Sequence, residues 1–238
     1  MDSNLFSIDY ISPLRKKLEL YYDATETNWC GRSILFRGGK LGLAGLSVVC
    51  NSTDLLRGLI FGIGTLLTAG LHSNTYSRSM KYLSSSNYIA AETYLHLLSA
   101  VNPDYANSRD CLLSPDGHGI IAVVVDKHFR KFATKCNNSP NLFVNQVVCR
   151  LTYLSLILAQ IICRVADGVL GVIGMAFSFM TIGKITFFNR LAFRGLQAPG
   201  LLRDIFYCTT KCLNPKAGVT RVYKGENNTT AAQIIEMS

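Results

Sequence analysis

The stretch from residue 143 to 188 constrains the fold more than any other part of the chain. Two uncharged apolar lobes, LTYLSLILAQIIC (151–163) and GVLGVIGMAFSFMTIG (168–183), lie on either side of a short polar segment. The second lobe, if helical, reaches about 24 Å, close to the roughly 30 Å of hydrocarbon in a bilayer. Two short lobes joined by a tight turn can insert together and satisfy their own backbone hydrogen bonds. We therefore predict a hydrophobic helical hairpin over residues 142–188, with Arg164 and Asp167 at its turn or paired.

A second apolar region covers residues 41–71, where Asp54 and Arg57 are the only charges. Charged residues make up 16% of the whole chain, below the roughly 25% of ordinary globular proteins. These features predict a mainly α-helical membrane protein with a small, largely helical polar middle region. The predicted divisions are a polar N-terminal region (1–40), a first apolar region (41–71), a polar middle region (72–141), the hydrophobic hairpin (142–188) and a basic C-terminal tail (189–238).

Small residues recur at helical spacing in both apolar regions. Such residues let a second helix approach closely, which is a major source of helix association in lipid. The predicted helix-packing positions are Gly58, Gly62, Thr65 and Ala69 in the first region, and Gly168, Gly171 and Gly174 in the second.

Polar residues in the second apolar region fall on one helical face, at Gln146, Arg150, Gln160, Arg164 and Asp167. A charge at the centre of a membrane helix costs about 2.5 to 3.5 kcal/mol on insertion scales. We therefore expect these side chains to lie at the membrane interface or to face other helices.

The chain carries a net charge of +9, and much of the excess follows the last apolar lobe. Lys184, Arg190, Arg194 and Arg203 form a basic flank there, and an excess of positive charge beside a span is typical of the cytoplasmic side. The tail is accordingly predicted to be cytoplasmic. Nucleic-acid binding is not expected, because these charges are spaced singly among apolar residues and no recognition motif accompanies them.

Titratable groups that could support chemistry are His118, Asp126 and His128, which bracket the run GIIAVVV (119–125). That run reads as a buried strand or as the start of a helix. The chain shows no nucleophile elbow, no His-x-Glu-x-x-His metal spacing and no Cys-x-x-Cys pair. We predict no catalytic residue, no metal site and no cofactor. An anionic-lipid contact suits the basic neighbours of the run better than catalysis.

Two apolar lobes around a polar turn, together with the signal-free start MDSNLFSIDYIS, resemble the chlamydial inclusion membrane proteins. The resemblance covers residues 143–188 and rests on hydropathy, so it carries no functional residue to this chain. It implies type III secretion and insertion into a host-derived vacuole membrane with both termini in the host cytosol. The polar residues Arg150 and Gln160 and the additional apolar region at 41–71 depart from that pattern.

The predicted function is non-enzymatic: a multi-pass membrane protein that anchors an interaction region at a bilayer. Its predicted partners are the lipid and a protein of unknown identity, and a homo-oligomer stays open. One alternative is a small transporter or channel component that uses the intramembrane polar residues. The other is a soluble helical protein whose apolar hairpin forms the core.

Overall fold

The computed structural model describes residues 5–24, 34–103 and 119–217, and this part of the chain is mainly α-helical and contains no β-strand. Short π-helical or 3-10 turns precede α1, α4, α6 and α8. The helices are, in chain order, α1 (Ser12–Ala24), α2 (Phe36–Leu67), α3 (Ser73–Leu83), α4 (Tyr88–Val101), α5 (Ile121–Asn137), α6 (Cys149–Met180), α7 (Thr186–Gly195) and α8 (Leu201–Leu213).

The predicted hairpin turn at residues 164–167 is wrong. One uninterrupted helix, α6, runs through this segment, and Arg164 and Asp167 lie near its middle. The segment contains no proline and no left-handed residue to end the helix, and both charged side chains find partners on other elements. Arg164 and Asp167 therefore make inward contacts within a continuous helix, whereas the hydropathy pattern had indicated a break.

Both long helices, α2 and α6, contain 32 residues, and both end in the same turn. Ala69 and Ile182 adopt positive φ angles of 47° and 52°, and each is followed by a glycine with positive φ. The glycine N–H groups donate 2.8 Å hydrogen bonds to Thr65 O and Ser178 O. This pattern is the Schellman motif, and its left-handed position, which usually holds glycine, is occupied here by Ala69 and Ile182, with the glycine directly after it.

Within the described residues, helices α1–α4 and α5–α8 form two halves with the same order of helices and matching contacts. Every residue of α2 has its counterpart 113 positions later in α6, as the first residues, 36 and 149, show. The contacts repeat as well as the element order. A Cβ atom added at Gly58 would lie 2.7 Å from Leu83 N, and one added at Gly171 would lie 2.6 Å from Leu196 N. The long helix of each half thus approaches the following helix at an equivalent glycine.

Helix α8 runs antiparallel to the first half of α6. Asp204, near the start of α8, binds Arg164 near the middle of α6. Cys212, near the end of α8, donates its thiol to the carbonyl oxygen of Arg150 at 3.3 Å, at the beginning of α6.

The same helix runs parallel to the second half of α2. A Cβ atom at Gly62 would lie 3.1 Å from the Phe206 ring. After α8 ends, Asn214 Nδ2 donates to Ala69 O at 3.1 Å, beyond the end of α2. Because α8 is antiparallel to α6 and parallel to α2, the two long helices run in opposite directions.

A reciprocal contact joins the other half in the same way. Asn102, after α4, donates its Nδ2 to Ile182 O at 2.7 Å, in the turn that ends α6. Each half therefore ends in an asparagine that binds the turn of the other half. The two halves are thus related by a two-fold axis that is perpendicular to the long helices.

Gly171→Ala should destabilise the fold by about 1–3 kcal/mol, because the added Cβ would lie 2.5 Å from the Gly195 carbonyl carbon and α7 would have to move. Gly45→Ala is the matched control on α2. No described atom lies within 4 Å of its added Cβ, so helix propensity alone should raise stability by up to about 1 kcal/mol. Thermal unfolding of the purified chain in detergent measures both, and equal effects would contradict the close helix contact.

Candidate functional site: a polar network inside an apolar helix

Three polar side chains of α6, those of Gln160, Arg164 and Asp167, are buried on the same side of the helix. Their spacing of four and three residues places them on one helical face. Each of them binds an element outside α6. The structure thus brings together the central three of the five predicted polar residues, and they form the core of a network that we call the central polar network.

The guanidinium of Arg164 is held by α8 and by the turn before it. Its Nε and Nη2 atoms donate to Asp204 Oδ2 at 2.9 and 2.6 Å, and Nη1 donates to Gln197 O at 3.2 Å. Both partners of the ion pair are about 5% exposed. Burying a charge is costly unless it is paired and hydrogen-bonded, so this geometry makes α8 the structural complement of Arg164.

The carboxylate of Asp167 caps the N-terminus of α5. Asp167 Oδ1 accepts from Ile121 N at 2.7 Å, and Oδ2 accepts from Ile120 N at 3.0 Å and Ala122 N at 3.1 Å. The first N–H groups of a helix have no partner within the helix, and a negative charge is favourable at that end. A residue in the middle of α6 therefore supplies the cap that α5 lacks in its own sequence.

Gly119 makes this cap sterically accessible. Its φ angle is +94°, and a Cβ atom there would lie 2.6 Å from Asp167 Oδ2. Its N–H group donates to Gln197 Oε1 at 3.0 Å. The sequence alone allows either a strand or a helix start for the run GIIAVVV. In the structure this run begins a helix at the capped position.

A second branch of the network joins α6 to α5 and α8. Gln160 Nε2 donates to Asp126 Oδ1 at 3.1 Å, and Arg130 Nε lies 2.6 Å from Asp126 Oδ2. The Arg130 guanidinium also lies 3.9 Å from the centre of the Tyr207 ring. Burial lowers the pKa of Arg130, but the neighbouring Tyr207 and Asp126 outweigh it and raise the pKa overall.

The residues predicted to support chemistry do not form one site in the described structure. Asp126 belongs to the central polar network, whereas His128 is exposed, with its ring Nδ1 2.8 Å from Val124 O. His118 lies outside the described residues. Among the described residues, no group of three or more His, Cys, Asp or Glu side chains could hold a metal ion.

The first half carries an equivalent but differently charged arrangement. Asn51, the counterpart of Arg164, donates its Nδ2 to Glu92 Oε2 at 2.9 Å. Asp54, the counterpart of Asp167, is fully buried on α2. A buried guanidinium–carboxylate pair in the second half thus corresponds to an amide–carboxylate hydrogen bond in the first.

The other predicted polar and basic residues lie outside the central polar network. Arg150, near the start of α6, donates its Nη2 to Oε1 of Gln146, in the turn before α6, at 3.3 Å, and both side chains are exposed. In the predicted basic flank, Lys184 and Arg190 are exposed, while Arg194 and Arg203 are partly buried.

The remaining small residues predicted for packing occupy several kinds of contact. Thr65 donates its hydroxyl to Phe61 O at 2.9 Å, and the same oxygen lies 3.4 Å from Ser79 Oγ of α3. Ala69 lies in the turn that ends α2. A Cβ atom at Gly174 would lie 2.6 Å from Ala192 N of α7, and one at Gly168 would lie 3.3 Å from Ala198 Cβ.

Asp204 and Gln197 are the network residues that sequence reasoning missed. Asp204 is the one acidic residue between Lys184 and Lys224. A single acid within a basic, partly apolar segment is the signal that could have identified it as the partner of an intrahelical arginine. Gln197 offers no comparable signal, because its role depends on a 3-10 turn whose position only the fold sets.

Comparison with protein-family models, with curated proteins and with solved structures finds no match for this chain.

Arg164→Leu should destabilise the protein by about 3–5 kcal/mol, because it leaves the Asp204 carboxylate buried without its cation. Arg164→Leu combined with Asp204→Leu should recover most of that loss, since an apolar pair of similar volume removes both buried charges. Thermal or denaturant unfolding of the full chain measures both variants. Additive losses in the double variant would contradict a direct ion pair.

Proposed function

We propose that this chain is an integral membrane protein in which α2 and α6 contact the hydrocarbon and the polar side chains face inward. Two described helical segments, Phe36–Leu67 and Val144–Met180, are long and apolar enough to cross a membrane. The proposal depends chiefly on how residues are distributed around them. Between Leu156 and Met180, every exposed residue of α6 is apolar, while Gln160, Arg164, Asp167 and Ser178 are buried.

Helix α2 has the same inverted distribution. Between Leu41 and Leu67, each exposed residue is apolar or glycine, while Ser47, Asn51 and Asp54 are fully buried. A soluble protein arranges these classes in the opposite way, because apolar burial drives its folding. The core helix of a soluble protein would also be mostly buried, yet only 33% of the most apolar window of either helix is buried.

The activity that we propose is anchoring and interaction rather than catalysis. The ionisable groups of the central polar network are engaged with one another or with backbone N–H groups. Such engagement supports a structural role for them. Exposed cations, including Lys184 and Arg190, supply surface for a protein partner.

A transporter or channel component is the second candidate. Oppositely directed halves, each with a helical segment broken by a 3-10 turn, are characteristic of secondary transporters. The breaks here fall at Ser84–Asn87 and Ala198–Gly200, and the two contact each other at Asn87 and Gly200. Solute uptake by vesicles that contain the reconstituted chain would distinguish this candidate from a simple anchor.

Insertion into a host-derived vacuole membrane and a cytoplasmic tail stay predictions. The hydropathy resemblance that suggested secretion rested on a hairpin turn, and the continuous helix α6 lacks that turn.

Spin labels at Val165→Cys and Val172→Cys on α6 should be accessible to oxygen and protected from a water-soluble nickel chelate in reconstituted vesicles. Both native side chains are exposed, at 61% and 55%, and oxygen partitions into hydrocarbon whereas the chelate stays in water. A label at Lys216→Cys is the water-facing control. Chelate access at Val165 and Val172 would contradict the proposal, and exclusion of both reagents would show that another protein surface covers α6.

A further inference from the structure

Helices α1 and α5 pack on their long helices in the same way. The Tyr22 ring of α1 lies 4.5 Å from that of Phe36 at the start of α2. Cys149, the counterpart of Phe36, donates its thiol to Ala133 O of α5 at 3.7 Å. Tyr22 therefore corresponds to Ala133, and each position of α1 corresponds to the position 111 residues later in α5.

This correspondence pairs two basic surfaces. Lys16 matches Lys127, Lys17 matches His128, and Tyr21 matches Phe132, and all six are exposed. We call Lys16, Lys17 and Tyr21 the first patch. The second patch comprises Lys127, His128 and Phe132, together with the exposed neighbours Lys131 and Lys135.

The inward residues of the same helices differ between the halves. Glu19 forms a 3.0 Å ion pair with Lys40, whereas its counterpart Arg130 pairs with Asp126. The internal contacts thus use different chemistry, while the exposed surface has cations followed by an aromatic ring in both halves. None of the patch cations forms an ion pair within the described residues.

The two patches lie towards opposite ends of the molecule. Each patch lies beside the first half of its long helix, and α2 and α6 run in opposite directions. On α5, the second patch begins just after Asp126, which is level with Gln160, and Ala133 is level with Cys149. The stretch of α6 from Gln160 back to Cys149 lies about 10 to 27 Å from Asp167 along the helix axis.

The edge of the hydrocarbon is about 15 Å from the centre of a bilayer. If the network at Asp167 lies near the centre, the second patch falls at headgroup depth, and the equivalent first patch falls at that depth on the other side. Ile121 and Val124, exposed on α5 before the patch, would lie within the hydrocarbon. Along α5, an apolar surface is thus followed by a basic and aromatic surface. This order is expected where a helix passes from the hydrocarbon into the headgroup region.

We infer that the first and second patches bind the phosphates of anionic phospholipids, one patch in each leaflet. This inference rests on the proposed membrane function and adds the lipid class and the residues that recognise it. Lysine supplies a mobile point charge for a phosphate, and the neighbouring aromatic side chain suits the boundary between headgroups and acyl chains. Exposed cations near the surface attract anionic lipid, and the attraction is screened by salt.

The test measures how strongly the full chain in detergent retains phosphatidylglycerol over phosphatidylcholine, using native mass spectrometry with both lipids at equal concentration. Lys127→Gln/Lys131→Gln/Lys135→Gln should lower this selectivity by about half, because the first patch still binds. Lys16→Gln/Lys17→Gln should lower it further when combined with the first set. Lys184→Gln/Arg190→Gln/Lys216→Gln is the control, because it removes three exposed cations outside the patches.

An equal loss in the control would overturn the assignment to the patches, as would wild-type protein without preference between the lipids. Selective binding of an acidic oligonucleotide instead of phosphatidylglycerol would also overturn it. Carbonate extraction of reconstituted vesicles separates this inference from the proposed function. Release of the wild type from vesicles of either lipid contradicts the membrane assignment itself, whereas retention without lipid selectivity contradicts only the headgroup sites.

Discussion

The constraint on which this structure depends is that charges within an apolar helix must be matched by other elements. Arg164 is matched by Asp204 on α8, and Asp167 by the N-terminus of α5. The two side chains are one helical turn apart on α6. They therefore fix α5 and α8 against the same short length of α6. This determines how the helices of the second half are arranged. Because an uncompensated buried charge costs several kcal/mol, few other arrangements of α5 and α8 are accessible.

The same constraint divides the molecule into two kinds of surface. The polar side chains of α2 and α6 are buried between helices. The outer faces of both helices therefore consist mainly of Val, Ile, Leu and Phe residues. In water, two such faces would favour association or aggregation. In lipid they are the expected outer surface, and a buried polar network is then compatible with a stable fold because each member has a partner.

Much of the helical architecture could be predicted from the sequence, because the local signals are strong. Ser12 and Pro13 mark the start of α1, and Asn102 and Pro103 mark the end of α4. The division of α6 into two lobes was wrong because hydropathy treats Arg164 and Asp167 as an interruption. Their helical spacing from Gln160 carried the better signal, but only the partner elements show that the helix continues.

The internal repeat is hidden for a physical reason. The identical residues are scattered along α2 and α6 at an offset of 113 positions. They include glycines at close contacts, such as Gly58 with Gly171 and Gly70 with Gly183, but also Cys50 with Cys163 and Asp54 with Asp167. Elsewhere the interior contacts are rebuilt with different side chains, as Asn51 and Arg164 show. Composition and periodicity do not reveal such a relation, because it resides in backbone contacts.

The most direct test of this account is the distance between spin labels at Ser155→Cys and Ala176→Cys, in a background whose native cysteines are replaced, with the protein in lipid nanodiscs. Both residues are exposed on α6 and lie equally far from the 164–167 segment. A continuous helix places their backbones about 32 Å apart. A hairpin folded at that segment would bring them to about 10 Å, the distance between packed helices, and would contradict the account.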